Sequence, residues 1–347
     1  MSTESRLSLV ARGVEEIVTR DELVALLDRE AQPKAYVGYE PSGYVHIGSG
    51  VPIAGKIKDL VAAGFDFTFL LADWHAMINN KLGGDLDVIR ISARYFEDAF
   101  RALGVPDRVR FVSASDLVST PAYWADVIRM SKRASVARIK RALTIMGRKE
   151  EDADLDASML IYPAMQVTDI HRLDLDLALG GMDQRHAHML YRDLAPKLGW
   201  KRVIALHTPL LIGLKGGGRM DAIDAKMSKS KPEGAILIHD PPEEIAKKID
   251  KAFCPPNETE GNFVTEVARI ILLPHGPLRV ERSAKYGGDV AFADFAPLAG
   301  SYRSGALHPK DLKAAVSGGL TSLLSSVRAY FDRRTENLEA LRRVIGS

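Results

Sequence analysis

Short apolar runs alternate with helix-patterned segments over the first two-thirds of the chain, and this alternation constrains the fold more than any other feature. "AYVGY" runs toward a helical pattern from about Gly48 to Ala63, which Gly64 stops; "FTFLLAD" then precedes a long helix through Phe100, and "VRFVSAS" follows. Further on, "DLALGG" from Asp176 and "VIALHTPLL" from Val203 flank the helical "MDQRHAHMLYRDLAPKL". Apolar runs joined by helices suit parallel strands with crossover connections. The expected class is therefore α/β, with a doubly wound parallel sheet of five short strands. Ligands of such sheets lie outside the carboxyl ends of the strands, where "VGYEPSG", "LADWH" and "LGGMDQ" fall.

The alternation has punctuation. Thr19 with Glu22 forms a capping box ahead of Leu23, Leu26 and Leu27, which predicts a helix there. From Tyr123 to Arg148 a basic helical stretch interrupts the pattern, and the acidic "KEEDADLDAS" follows it. After the glycine-rich "GLKGGGRMDAIDAKMSKSKPEG" the character turns helical. "PPEEIAKKIDKAF" opens with prolines and acids as a helix amino end should, "HPKDLKAAV" starts another helix, and Leu320 to Ile345 is amphipathic. The expected division is 1–232, with a basic helical insertion at about 120–160, and a helical domain over 233–347.

Composition removes several classes. In 347 residues, 46% hydrophobic and 27% charged, disorder is not expected. Cys254 is the only cysteine, so an intrachain disulfide is impossible, and a reducing, cytoplasmic compartment is expected. No apolar run approaches the roughly 18 residues of a spanning helix, so no membrane partner is expected. A net charge of +2 does not announce a nucleic acid; Arg129, Lys132, Arg133, Arg138, Lys140 and Arg141 form a local basic cluster that could meet one.

Two motifs carry chemistry. In "YEPSGYVHIGSG" a Pro-Ser-Gly turn runs into a helix amino end, where backbone N–H groups and the dipole favour an anion such as phosphate. Gly48 lets the backbone come close, and His46 offers a ring N–H where charge builds on a phosphate in flight. Much later, "KMSKS" supplies Lys226 and Lys229 in a segment with glycines at 213, 216, 217 and 218, suited to closing over a polyphosphate.

With both motifs in this order, the sequence resembles the class I aminoacyl-tRNA synthetases, and among them the tyrosyl enzymes of the archaeal and eukaryotic type. The likeness extends through "LLADWHA", "LIYPAMQVTDIH", "ALGGMDQRHAHML", "KYGGD" and "LHPKDLK". It implies a Rossmann-like catalytic domain and a helical anticodon-binding domain. It also implies a two-step reaction: ATP and an amino acid give an aminoacyl-adenylate and pyrophosphate, and the aminoacyl group then passes to the terminal ribose of tRNA. His46, Gly48 and Ser49 would meet ATP, and Lys226 and Lys229 the leaving pyrophosphate, with Mg²⁺ sharing the charge. The family's motif commonly carries a second histidine where Ser49 stands; a serine hydroxyl can hydrogen-bond a ribose or phosphate oxygen but cannot carry positive charge.

Tyr162, Gln166 and Asp169, four and three apart, share one face of a helix and make it polar inside an apolar segment. By resemblance Tyr162, Gln166 and Gln184 take the α-amino group of L-tyrosine, while Asp169 and Tyr36 bond its phenolic hydroxyl. An Asp169 carboxylate without that partner is costly, so phenylalanine is rejected. For tRNA(Tyr), the likeness assigns Tyr286, His308 and Asp311 to the first anticodon base and Arg141 and Arg185 to the acceptor stem. A homodimer through the basic stretch is also implied. The competing readings are a tryptophanyl enzyme of the same fold, a small-molecule nucleotidyltransferase, and a non-catalytic RNA-binding paralogue.

Overall fold

The computed structural model describes residues 1–147, 156–216 and 234–346. The chain divides into two compact units, one of Met1–Gly43, Gly55–Pro209 and the last residues from Glu339, the other of Tyr44–Ala54 and Leu210–Leu338. The division expected near Pro232 falls outside the described residues.

The first unit holds a six-stranded sheet in the order β1-β6-β5-β2-β3-β4. The five expected strands are β2 (Lys34–Tyr39), β3 (Asp66–Leu71), β4 (Arg110–Ser113), β5 (Leu177–Gly181) and β6 (Ile204–Thr208), all mutually parallel. The sixth, β1 (Glu16–Val18), was not expected: it is three residues long, half-buried throughout, and pairs antiparallel with β6. Such a fragment is too short to show a period of two. Chain order places β3 on one side of β2 and β5 on the other, with Tyr36 opposite both Thr68 and Ala178. The topological switch therefore lies between β2 and β5, whose carboxyl ends are Tyr39 and Gly181.

The helices of this unit are α1 (Thr3–Ala11), α2 (Arg20–Arg29), the part of α3 (Ile47–Ala62) beyond Ala54, α4 (Asp73–Ile78), α5 (Leu86–Ala102) and α6 (Ala114–Val118). They are followed by α7 (Pro121–Ser131), α8 (Val136–Ala142), α9 (Tyr162–Arg172) and α10 (Arg185–Leu198). Thr19 caps α2 as its capping box predicts, its side chain accepting from the Glu22 N–H. Phe67 and Phe69 of β3 and Phe96 and Phe100 of α5 are fully buried and make the centre of the core on that side. The basic stretch is a pair of short helices, α7 and α8, which keep Tyr123, Val127, Met130 and Ile139 inward.

Helix carboxyl ends leave carbonyls without partners, and here a buried arginine collects them. Arg6 donates to the carbonyls of Ala63 (2.8 Å), Leu27 (2.8 Å), Glu30 (3.0 Å) and Ala31 (3.2 Å), so one guanidinium closes the ends of α2 and α3. Its charge sits where the helix dipoles are negative. Replacing it strands these acceptors: Arg6→Met is expected to lower unfolding stability by roughly 2–4 kcal/mol. Denaturant unfolding checks this, and an unchanged midpoint contradicts it.

In the second unit, helices Pro242–Lys251, Phe263–Val267, Phe295–Arg303, Pro309–Leu323 and Ser325–Arg333 accompany a small antiparallel hairpin, β7 (Leu278–Val280) with β8 (Val290–Phe292). The helix at Pro242 opens with Pro241 as N-cap and Glu243 and Glu244 in its first turn, the acids facing the positive dipole end. It packs on Pro309–Leu323, whose Leu312, Val316 and Leu320 are buried. Among the described residues no helix is long and apolar enough to cross a membrane.

Candidate active site

At the switch point of the first unit the sheet and α9 bring polar side chains together within apolar surroundings. Tyr36 on β2 and Tyr162 and Asp169 on α9 are buried, Asp169 to 1% exposure. Gln166 shares their helix face, and Gln184 comes from the turn between β5 and α10. The Gln166 amide donates to Gln184 Oε1 at 3.1 Å, and Gln184 Nε2 donates to the Ile145 carbonyl at 3.2 Å. Tyr36, Tyr162, Gln166, Asp169 and Gln184 are thus brought into one place.

Three neighbours absent from the sequence reading shape this pocket. The Tyr123 hydroxyl of α7 donates to Asp169 Oδ1 at 2.7 Å. His75 of α4 puts Nε2 3.2 Å from Asp169 Oδ2 and stands edge-on to the Tyr162 ring, 4.8 Å between centroids. Glu40 accepts from the Tyr162 hydroxyl at 2.7 Å and from Asn79 Nδ2 at 3.0 Å. Tyr123 was hidden because its helix advertises itself by its basic residues; its buried position on α7 shows only once the helix is packed. His75 stands in the quoted "LADWH" block, and that was its only signal.

Burial sets the charges. It pushes Asp169 up to about 7, against the lowering effect of the Tyr123 bond and with a further push from Asp73. It lowers His75 to about 4, so that ring is neutral and its approach to Asp169 is not an ion pair. Burial and nearby Asp169 also raise Tyr36 and Tyr123, keeping both phenols protonated. Asp169 Oδ2, Gln166 Oε1 and both ring nitrogens of His75 are buried without a hydrogen-bond partner, four of the six such side-chain atoms among the described residues. Buried polar atoms are normally satisfied. Their concentration here marks a place built for a polar ligand.

In the second unit the chain enters α3 at His46, which is 5% exposed and makes an isolated antiparallel bridge with Leu237. The Ile47 N–H donates to the Ile236 carbonyl at 2.9 Å, and Ile238 N–H to the Val45 carbonyl at 3.1 Å, fastening the turn on both sides. His46 Nδ1 accepts from the Ser49 N–H at 3.2 Å, which leaves the ring proton of the neutral form on Nε2. The Ser49 hydroxyl donates back to the His46 carbonyl at 3.3 Å. At Gly48 a Cβ would stand 3.0 Å from Leu211 Cβ and 3.3 Å from His46 Nδ1, a close approach that favours glycine. Lys226 and Lys229 lie outside the described residues.

The remaining candidates divide into two groups. Tyr286 is 64% exposed in a turn between β7 and β8. His308 caps helix Pro309–Leu323, its Nδ1 accepting from the Lys310 N–H at 3.2 Å, and Asp311 sits in the first turn. Arg282 ties these segments together, donating to the Gly288 carbonyl at 3.0 Å and the Ala306 carbonyl at 2.7 Å. In the first unit Arg141 is exposed on α8, whereas Arg185 pairs with Glu16 through Nε at 2.8 Å and Nη2 at 2.9 Å.

The family model for class I tRNA synthetases (W and Y) matches residues 28–325 of this chain. A tyrosine–tRNA ligase of Aeropyrum pernix is 52% identical over 340 residues, which cover 94% of this chain and 93% of the relative. The chain belongs to the class I tRNA synthetases. Solved members of the family share its fold closely. The tyrosyl-tRNA synthetase of Aeropyrum pernix has a TM-score of 0.89 at 47% identity, with 99% of each chain covered. The tyrosyl-tRNA synthetase of Pyrococcus horikoshii complexed with L-tyrosine has a TM-score of 0.92 at 38% identity, covering 99% of this chain and 100% of its own. The doubly wound sheet expected from the alternating pattern is the fold of these synthetases.

Proposed function

We infer that this chain is a tyrosine–tRNA ligase, which joins L-tyrosine and ATP to tyrosyl-adenylate and pyrophosphate and then transfers tyrosine to the terminal ribose of tRNA(Tyr). The observation that carries the choice of amino acid is Asp169. One of its oxygens accepts from Tyr123; the other, 3.2 Å from His75 Nε2 but without a hydrogen bond of good geometry, can accept a phenolic O–H. Tyr36 is the second partner of that hydroxyl. Gln166, Gln184 and Tyr162 face the α-amino group, and the Glu40 carboxylate on the Tyr162 hydroxyl suits an ammonium. An indole N–H needs one acceptor and makes no use of Tyr36, so the tryptophanyl alternative is not favoured.

Activation is an attack of the tyrosine carboxylate on the α-phosphate of ATP, with pyrophosphate as leaving group. The turn at His46 and Gly48 is assigned to the phosphate, where the His46 Nε2–H stabilises charge that develops during transfer. Lys226 and Lys229 hold the departing pyrophosphate. Mg²⁺ is read as the companion of ATP, sharing the charge of the departing pyrophosphate. Ser49, turned back on the His46 carbonyl, is assigned to ordering this turn and any contact with ATP is secondary to that.

For tRNA, Tyr286 offers an exposed ring for stacking on the first anticodon base, and Asp311 with His308 an edge to bond it. The residues 233–347 are accordingly assigned to the anticodon and 1–232 to catalysis. Arg141 and Arg185 are assigned to the acceptor stem. A homodimer through the α7–α8 region is supported by Ile128 and Val136, which are 59% and 65% exposed. A cytoplasmic location agrees with these partners.

Asp311→Ala tests the anticodon assignment. It is expected to lower kcat/KM for charging tRNA(Tyr) by about 10–100-fold while pyrophosphate exchange stays within about twofold. Equal loss in both assays contradicts the assignment.

A further inference from the structure

A chain of polar groups runs beside the pocket, and its two buried histidines have no part in the reaction described above. Glu16 of β1 accepts from Arg185 Nε and Nη2 on one flank, and on the other Glu16 Oε2 meets His207 Nδ1 at 2.9 Å. His207 Nε2 meets His188 Nδ1 at 3.0 Å, the two rings nearly parallel with centroids 5.1 Å apart. His207 is 0% and His188 1% exposed.

The proton arrangement follows from the partners. Arg185 favours an ionised Glu16, and burial disfavours charge on either ring. The carboxylate only accepts, so His207 Nδ1 carries its proton and donates. His207 Nε2 then has a lone pair, and His188 Nδ1–H must be the donor between the rings. Both rings are fixed in one tautomer and one orientation by a carboxylate on the neighbouring strand. Two aliphatic side chains would fill this space without the cost of burying polar groups.

The fixed ring abuts the pocket. A Cβ at Gly180 would lie 2.8 Å from Gln184 Cβ, 3.2 Å from Gln184 Cγ and 3.2 Å from His188 Cε1, so the Gln184 stem and the imidazole both border the same space over Gly180 at the end of β5. His188 also stands one turn after Gln184, on the same side of α10. The chain closes a loop, since Arg185 is the residue next to Gln184.

We propose that His188 and His207, oriented by Glu16, are positioning residues that set Gln184 for the α-amino group of the amino-acid substrate. This rests on the reading of the pocket as a tyrosine site. The chain acts on the amino end alone and leaves the contacts of the phenolic end, Asp169 and Tyr36, as they are.

The test compares L-tyrosine with 3-(4-hydroxyphenyl)propionate, which has the phenol and carboxylate but no amino group. In His188→Leu, which removes the donor to His207, KM for L-tyrosine in pyrophosphate exchange is expected to rise about tenfold. KM for ATP, and the Kd of the analogue measured by calorimetry, should stay within about twofold. His188→Gln, which retains an N–H donor, should recover most of the loss. Glu16→Gln, which keeps the shape and removes the charge, should raise KM for L-tyrosine about threefold and serves should the leucine variant fail to fold. Unchanged L-tyrosine affinity in Glu16→Gln and His188→Leu, or equal weakening of both ligands, overturns the proposal. A wild-type protein that binds neither ligand would instead refute the tyrosine reading itself.

Discussion

Asp169→Ala will cut kcat/KM for tyrosine activation by roughly 10²–10³-fold, with the protein still folded and KM for ATP little changed. The expected size follows from what the substitution leaves behind. A phenolic hydroxyl would be buried against a methyl group with its charged acceptor gone, and the Tyr123 hydroxyl, now bonded to Asp169 Oδ1 at 2.7 Å, would keep only its longer bond to the Met165 carbonyl at 3.3 Å. Tyr123→Phe removes only the second of these and should cost about threefold to tenfold, read as a higher KM for tyrosine. A pH dependence accompanies the prediction. Burial pushes Asp169 up to about 7, and the phenol donates to the ionised form. Tyrosine affinity should therefore weaken as pH falls below about 7, and this slope should vanish in Asp169→Ala. Unimpaired activation by that variant removes the basis for choosing tyrosine.

His46→Ala is expected to lower the rate of adenylate formation by about 10²–10³-fold while the Kd for tyrosine, measured without ATP, is unchanged. The ring is oriented before any substrate arrives: the Ser49 N–H occupies Nδ1, and backbone bonds to Ile236 and from Ile238 fasten its turn. A donor fixed in this way spends little on reorganisation when charge develops at the α-phosphate. The effect should therefore fall on kcat rather than on substrate binding. Single-turnover measurement of adenylate formation reads it directly. A loss confined to KM for ATP would mean that His46 only binds the nucleotide.

Much of the sheet was legible because parallel strands buried on both faces leave continuous apolar runs, as in "FTFLLAD", and helices between them leave a period near 3.6. β1 was not, since Glu16–Val18 becomes a strand only by pairing with β6. The partition into units was equally hidden. Tyr44–Ala54 counts with Leu210–Leu338, partly through the bridge between His46 and Leu237, a contact between residues distant in sequence.

For the pocket, Tyr162, Gln166 and Asp169 were visible as a polar face on an apolar helix, and Tyr36 and Gln184 through resemblance. Tyr123, His75 and Glu40 were not, because each acts through a partner on another element and their own surroundings in sequence are unremarkable in pattern. Arg185 was assigned to the acceptor stem through resemblance alone; that its guanidinium is bidentate to Glu16 had no signal in the sequence. An acceptor-stem contact would have to compete with that pair.

The most direct test of the account is exchange of pyrophosphate into ATP with each of the twenty amino acids in turn, without tRNA. The account predicts exchange with tyrosine alone. Exchange with tryptophan, or with phenylalanine as readily as with tyrosine, contradicts the reading of Asp169, and no exchange with any amino acid contradicts the assignment of the chain as a ligase.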